Sequence, residues 1–480
     1  MFEIRGIISI FSDAKLRFFY GDANEIHLLG RHIDKTFLIL WLMPLIYRFL
    51  LFLAAFPVVA QSGFRFPDKQ RRVIIPFEFI NNLIVIPVDV NGVALNFLLD
   101  TGVDETILFS LEDREVSFNN VQRVKLKGLG SQEAVEGLKS SGNVLSVKNA
   151  LTDANHELYI ILDTDLNLSV DVGVPVNGIL GYQFFKEHLV EVDYASQRIV
   201  IYPDTKKIRR RLARHYKALS LSIEKNKPYV QAQTVLDGKT INTKLLLDTG
   251  NSDAVWLFDN GADIRVPGNN FDDYLGKGFS GEIHGRRARL ERFSMGGFAF
   301  HHPIAAFPDS ASIRNLSLVE DRVGSVGGEV LKRFTTVYDY PNGRVFLKPN
   351  DMIASPFHYN MSGMEIHHVG VTWVRESIRM KSAYMDNNYD VEGNKQSEFI
   401  YKVVLKPVFA VSSVRPGSPA ALAGVQKNDQ VVSINGKPGH QYKLQEIFSL
   451  LKSHSGRTIQ MEVERDGQIR KIQFTLKAIL

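Results

Sequence analysis

The chain has no cysteine among its 480 residues. That excludes disulfides, thiol nucleophiles, thiolate zinc sites and lipid attachment through cysteine in one step. Its 13 histidines form neither an HExxH nor a His-x-His motif. No metal site and no cofactor is therefore expected. Charge of one sign is also scarce: 57 Lys and Arg stand against 52 Asp and Glu, a net +5. Such a balance calls for no nucleic-acid partner. The 45% apolar fraction is that of an ordinary globular protein. The length implies two to four domains, taking roughly 150 residues per domain as a guide.

One long apolar run is present. Residues 37–60 are interrupted only by Arg48. A spanning helix needs about twenty such residues, and a central Arg would cost it roughly 2.5–3.5 kcal/mol. Alternatively, Arg48 is the positive start of a signal peptide. Phe49–Phe56 is then its apolar middle, and Val58-Val59-Ala60 leads to a cut before Gln61. A buried core helix is the third reading. Met43 could serve as the start of translation in place of Met1. Each of the first two readings exports the protein, to the periplasm or cell envelope or into the medium. A retained anchor would associate it with a membrane through residues 37–60.

The chain repeats itself. Asp100-Thr101-Gly102 follows Phe97-Leu98-Leu99, and Asp248-Thr249-Gly250 follows Leu245-Leu246-Leu247. The two triplets are 148 positions apart (248 − 100). Gly178 and Gly324 open similar Gly-x-hydrophobic-Gly segments, and Asp193-Tyr194 and Asp339-Tyr340 follow; both offsets are 146 (324 − 178; 339 − 193). Three landmarks in one order at nearly one offset indicate a duplicated unit, near 74–203 and 217–350. Each unit reads as mostly β. Leu83–Val90 is a strand ending at an Asn91-Gly92 hairpin turn, and Asp237-Gly238 holds the matching place. Residues 206–217 are basic and could be helical; they read as a solvated linker, or as a contact for a membrane or polyanion.

A carboxylate placed beside leucines loses hydration and is costly to keep charged. One copy could be hidden in a hydrogen-bond network. Two copies at the same place in a repeat are most simply explained if Asp100 and Asp248 face each other and hold one proton between them. One carboxylate then acts as base on a water, and its partner gives a proton to the carbonyl under attack. Thr101 and Thr249 offer hydroxyls to backbone across the axis. Gly102 and Gly250 allow a tight turn and bring backbone N–H groups near the carboxylates.

These residues resemble the bilobal aspartic proteases of the pepsin/retropepsin clan. Each lobe is more similar to a retropepsin subunit, through the Asp-Thr-Gly-Val-Asp-Glu-Thr run at 100–106 and Gly-Ile-Leu-Gly at 178–181. The resemblance implies a peptidase that cleaves extended polypeptide without metal or cofactor. Val103 and Asn251 depart from the residues that usually follow the triplet. Val103 cannot bond its aspartate and Asn251 could, so unequal carboxylates are expected. The clan covers its cleft with Gly-containing hairpins. Residues 128–137, with Gly128 and Gly130, and residues 276–285, with Gly276 and Gly278, stand where such flaps would be. Ordinary Gly-rich surface loops are the alternative.

Residues 411–436 resemble a PDZ domain of the kind attached to bacterial envelope proteases. Pro416-Gly417-Ser418-Pro419 leads into a short helix ending at Gly424, and Gln430–Ile434 reads as a strand. A helix near 444–453 and two strands joined by Asp466-Gly467 follow. The resemblance implies binding of C-terminal peptides by strand addition. Gly363, Met364, Glu365 and Ile366 would form the carboxylate loop; a purely structural turn is the alternative there. Residues 376–398 read as a long loop or insertion.

The expected fold is mainly β: duplicated acid-protease, retropepsin-like β-barrel lobes followed by a PDZ domain. The expected boundaries are 1–60 for the leader or anchor, 61–205 and 217–350 for the lobes, 206–216 for the linker and 351–480 for the PDZ domain. The expected function is an exported aspartic endopeptidase using Asp100 and Asp248. Its partners are a polypeptide substrate and a C-terminal peptide, and a monomer suffices because both aspartates lie in one chain. The rivals are a catalytically dead peptide-binding scaffold and a PDZ-guided envelope assembly protein.

Overall fold

The computed structural model describes residues 63–66, 70–126, 135–148, 150–161, 168–278, 281–314, 318–379 and 399–480. The apolar run at 37–60 lies outside them. Among the described residues no helix is long and apolar enough to cross a membrane. They are mainly β, in four sheets.

Two sheets repeat one plan. In the first, Val93–Leu99 pairs in parallel with Gly178–Leu180, which pairs antiparallel with Ile107–Leu108. In the second, Lys239–Leu247 pairs in parallel with Arg322–Val326, which pairs antiparallel with Val255–Leu257. The hairpins that feed the parallel pairs turn at Asn91-Gly92 (φ 50° and 88°) and Asp237-Gly238 (φ 47° and 72°). Two positive φ values in succession are what such two-residue turns demand.

A third sheet joins the repeats. Its order places Val73–Pro76, Arg198–Tyr202 and Leu189–Asp193 beside Phe334–Asp339, Arg344–Pro349 and Lys217–Ser220. At its centre Glu191 pairs with Val337. Those residues are 146 positions apart (337 − 191), so a local twofold axis passes between them. The basic segment is helical, with most of its side chains in solvent and one seated on the shared sheet. Lys206–His215 is a helix capped by Thr205, whose side chain accepts from the N–H of Ile208. Leu212 is buried against Leu189, Val200, Val337 and Phe346 of the shared sheet. One apolar residue per turn was enough to seat a helix whose other faces carry charge.

The fourth sheet, within 364–475, belongs to the C-terminal module. Gln430–Ile434 and Thr458–Arg465 are strands as expected, and the helix runs Leu444–Leu451. The loop expected at 376–398 begins later than the sequence suggests. Met364–Arg379 is one strand, paired antiparallel with Phe399–Val414 out to Arg379↔Phe399. Backbone pairing carries this ribbon beyond the core: Val371 and Trp373 are exposed on it. Burial therefore imposes no alternation there, and polarity alone reads as loop. Residues 380–398 lie outside the described residues. Buried apolar side chains from both repeats and the C-terminal module form one continuous cluster.

Candidate active site

The two Asp-Thr-Gly turns meet on the twofold axis. Each leaves the end of a buried strand: the Asp100 N–H donates to Leu180 O at 3.1 Å, and the Asp248 N–H to Val326 O at 2.9 Å. Behind the carboxyls the threonines interlock. Thr101 Oγ1 donates to Leu247 O at 2.6 Å, and Thr249 Oγ1 to Leu99 O at 2.8 Å. Each hydroxyl also accepts the other turn's threonine N–H at 3.0 Å. The donated bonds were expected from the sequence; the accepted ones were not. A hydroxyl does both jobs at once, which satisfies four buried backbone groups with two side chains.

The glycines are needed for space. Neither Gly102 nor Gly250 has a positive φ. A Cβ on Gly250 would stand 2.1 Å from Asp100 Oδ2, and one on Gly102 would stand 2.9 Å from Asp248 Oδ1. Each glycine lies against the carboxyl of the opposite repeat. Its N–H serves its own: Gly102 N donates to Asp100 Oδ1 at 2.7 Å, and Gly250 N to Asp248 Oδ1 at 3.1 Å.

Asp100 and Asp248 lie side by side, each against the other repeat's glycine, and each acts on the other's proton. Burial, and then the charge of Asp248, push the Asp100 carboxyl from 3.8 up to about 8. Burial raises Asp248 as well, but the Arg322 guanidinium opposes that rise. A cation on the Asp248 side alone favours the charged form of that carboxyl, so the two carboxyls are not equivalent. Arg322 lies over the rings of Tyr229 and Phe258 at 6.0 and 5.4 Å, and its Nε donates to Gly324 O at 3.1 Å.

The carboxyls are unequal as expected, for a different reason. Asn251 does not reach its aspartate. Its Nδ2 donates to Ser325 Oγ at 3.0 Å, and its Oδ1 accepts from Asp253 N at 2.9 Å. The asymmetry comes from Arg322, which the motif reading missed. A signal was available: at the offset of 146, Arg322 matches Val176 (322 − 146), so the second repeat alone has a cation there.

The other expected residues are placed as follows. Gly276 and Gly278 lie on Asn270–Gly278, which pairs with Gly281–Arg289 in a hairpin. Gly276, at φ 137°, marks the register shift in that pair. Gly128 and Gly130 lie outside the described residues. Gly363 has φ 75°, and its carbonyl accepts the Arg415 N–H at 2.7 Å. Met364 and Ile366 are buried in the module's core. Glu365 accepts from Asn360 Nδ2 at 3.1 Å and is pushed up to about 7, first by burial and then by Asp273. Met364–Arg379 is the outer strand of its sheet. The first repeat rests on this module at Leu168–Gly173: a Cβ on Gly173 would stand 2.8 Å from Leu444 Cβ. Among the described residues no group of three or more His, Cys, Asp or Glu is arranged to hold a metal ion.

Residues 410–465 match the PDZ domain family, a fold that suggests peptide binding. Among solved structures, the aspartic proteinase from Irpex lacteus is similar to 59% of this chain over 99% of its own length, with 12% identity and a TM-score of 0.38. No curated protein sequence matches the chain.

Proposed function

We propose that the protein is an aspartic endopeptidase that hydrolyses peptide bonds with a water activated by Asp100 and Asp248. One observation carries the reading. Two carboxyls from matching turns of a repeated unit face each other across the axis, each against the opposite glycine, with a cation on the side of one of them. A structural role would not require both carboxyls at this cost.

In this reading the Arg322 cation keeps Asp248 charged and leaves the proton on Asp100. Asp248 takes a proton from water as the oxygen attacks the substrate carbonyl. Asp100 gives its proton to the carbonyl oxygen, producing a gem-diol. Asp248 then protonates the leaving nitrogen, Asp100 takes a proton from one hydroxyl, and the C–N bond breaks. The pair ends as it began. The hairpin 270–289 would hold substrate in an extended conformation, and the PDZ domain would bind polypeptide C-termini. The apolar run at 37–60 supports export, by a cleaved signal or a retained anchor. Both aspartates come from one chain, which supports a monomer.

Digestion of an unfolded protein such as casein by the purified chain tests this. The pH is scanned from about 3 to 9, beside Asp248→Asn and with a statine-type transition-state inhibitor. Cleavage that the inhibitor blocks and the variant lacks is expected. Wild-type protein that cleaves nothing at any pH would move the weight to a peptide-binding scaffold.

A further inference from the structure

A buried chain of alternating charge connects the C-terminal module to the turn that carries Asp248. Arg415 Nη1 stands 3.2 Å from Asp273 Oδ1. Asp273 Oδ2 accepts from Arg287 Nε at 2.6 Å, and Arg287 Nη1 donates to Asp253 Oδ1 at 2.7 Å. No side chain in the series is more than 17% exposed. Asp253 is fixed in the catalytic turn. Its N–H meets Asn251 Oδ1 at 2.9 Å, its carbonyl accepts the Glu329 N–H at 3.2 Å, and its Oδ2 accepts Trp256 Nε1 at 2.8 Å.

The other end belongs to the PDZ domain. Arg415 follows the strand Phe399–Val414. Its backbone N–H holds Gly363 O, and its guanidinium lies 4.1 Å over the ring of Phe271 on the hairpin. Asp273 pushes the buried Glu365 carboxyl up, and Lys452 and Arg287 oppose that rise. Buried charges in series are mutually dependent, because removing one leaves its neighbour uncompensated. At the offset of 148, the positions of Asp253, Asp273 and Arg287 in the first repeat hold Glu105, Lys125 and Lys139. A lysine replaces the middle carboxylate, and Lys139 pairs with Glu157 at 2.8 Å instead. Only the second repeat is wired to the PDZ domain through these positions.

We propose that Arg415 is a positioning residue for Asp248: through Asp273, Arg287 and Asp253 the seat of the PDZ domain on the hairpin 270–289 sets the geometry of the catalytic turn. The PDZ domain then governs turnover itself, apart from any part in gathering substrate. The kinetic consequence rests on the peptidase reading; the structural link does not.

The test uses the full chain with Arg415→Gln and Arg415→Lys. The substrate is a short fluorogenic peptide blocked at both ends, which offers the PDZ domain no free terminus. Arg415→Gln should lower kcat roughly tenfold or more, as small misplacements of reacting groups do. KM should change less than kcat, because Arg415 braces the hairpin 270–289 as well as the turn. The acid limb of its pH profile should also move, and Arg415→Lys, which keeps the charge, should recover part of both. Wild-type kcat and profile in Arg415→Gln would overturn the proposal, as would a change in KM alone. Hydrogen exchange of 248–257 and 270–289 is read on the same proteins. Faster exchange in Arg415→Gln is expected, and unchanged exchange overturns the link even if the wild type cleaves nothing. Wild-type protein without Asp248-dependent cleavage defeats the peptidase reading alone.

Discussion

Replacing Asp100 by asparagine should stabilise the fold near neutral pH while abolishing the proposed chemistry. The carboxyl is raised from 3.8 to about 8 by burial and by the charge of Asp248. A carboxyl raised on folding binds its proton more tightly in the folded state. Its stabilising contribution is complete below about 3.8 and is lost as pH climbs through about 8. Each pKa unit corresponds to about 1.4 kcal/mol, so about four units set a ceiling of order 5 kcal/mol. Local relaxation and the proton shared with Asp248 reduce this to about 2–3 kcal/mol at pH 8. Asparagine keeps the shape, can accept the Gly102 N–H through Oδ1, and can donate to Asp248 without carrying charge. The assay is thermal unfolding of both proteins at pH 4, 6 and 8 and one ionic strength. The difference in Tm should be near zero at pH 4 and reach about 2–3 °C at pH 8, since an unfolding entropy of about 2.1 cal/mol/K per residue over 480 residues makes 1 kcal/mol worth about 1 °C. A variant less stable than wild type at pH 8, or equally stabilised at every pH, would refute the claim that the fold forces this carboxyl to keep its proton.

Three further substitutions probe the surroundings. Arg322→Met removes the cation that opposes the rise of Asp248, so the acid limb of kcat/KM should shift upward by about one to three pH units; an unmoved limb would assign the bias elsewhere. Thr249→Val leaves the Leu99 carbonyl and the Thr101 N–H without their partner, at roughly 1–3 kcal/mol per buried group, which urea unfolding would register. Arg333 is fully buried, lies 3.7 Å over the Phe357 ring, pairs with Glu329 at 3.1 Å and reaches the Ser355 carbonyl. Arg333→Met should cost about 3–5 kcal/mol, the usual price of breaking a buried ion pair from one side, and an unchanged urea midpoint would contradict that.

Local features were legible because local chemistry determines them. Asn91-Gly92, Asp237-Gly238 and Asp466-Gly467 are turns because few residues other than glycine, Asn and Asp tolerate their positive φ. The dyad was legible from repetition, since two copies of one costly motif at one offset imply a shared site. What escaped depends on distance. Arg322 reaches Asp248 only after Arg322–Val326 pairs with Lys239–Leu247, and no short window contains that pairing. The series from Arg415 to Asp253 joins residues 162 positions apart (415 − 253) through a hairpin belonging to neither end. The end of the strand Met364–Arg379 escaped for the opposite reason: held by backbone pairing beyond the exposed Val371 and Trp373, it leaves no apolar alternation to read.

The pattern of what the repeats share and where they differ bears on how the site can work. The parts that build the axis are common to both: threonine grip, apposed glycines, and a backbone bond from each aspartate to a parallel strand. The parts that set charge are not. Val176 stands opposite Arg322, Val103 opposite Asn251, and Glu105 opposite Asp253, whose partner is Arg287. A site made from two identical copies has no resting preference for which carboxyl holds the proton. Joining the copies in one chain lets a single cation break that tie. In the proposed reaction that cation favours the proton on Asp100 and leaves Asp248 as the base. The same divergence links the turn of Asp248, and not that of Asp100, to the PDZ domain through Asp253, Arg287, Asp273 and Arg415. A contact that shifts Asp253 would then act, in the proposed reaction, on the carboxylate that activates water while leaving the proton donor in place.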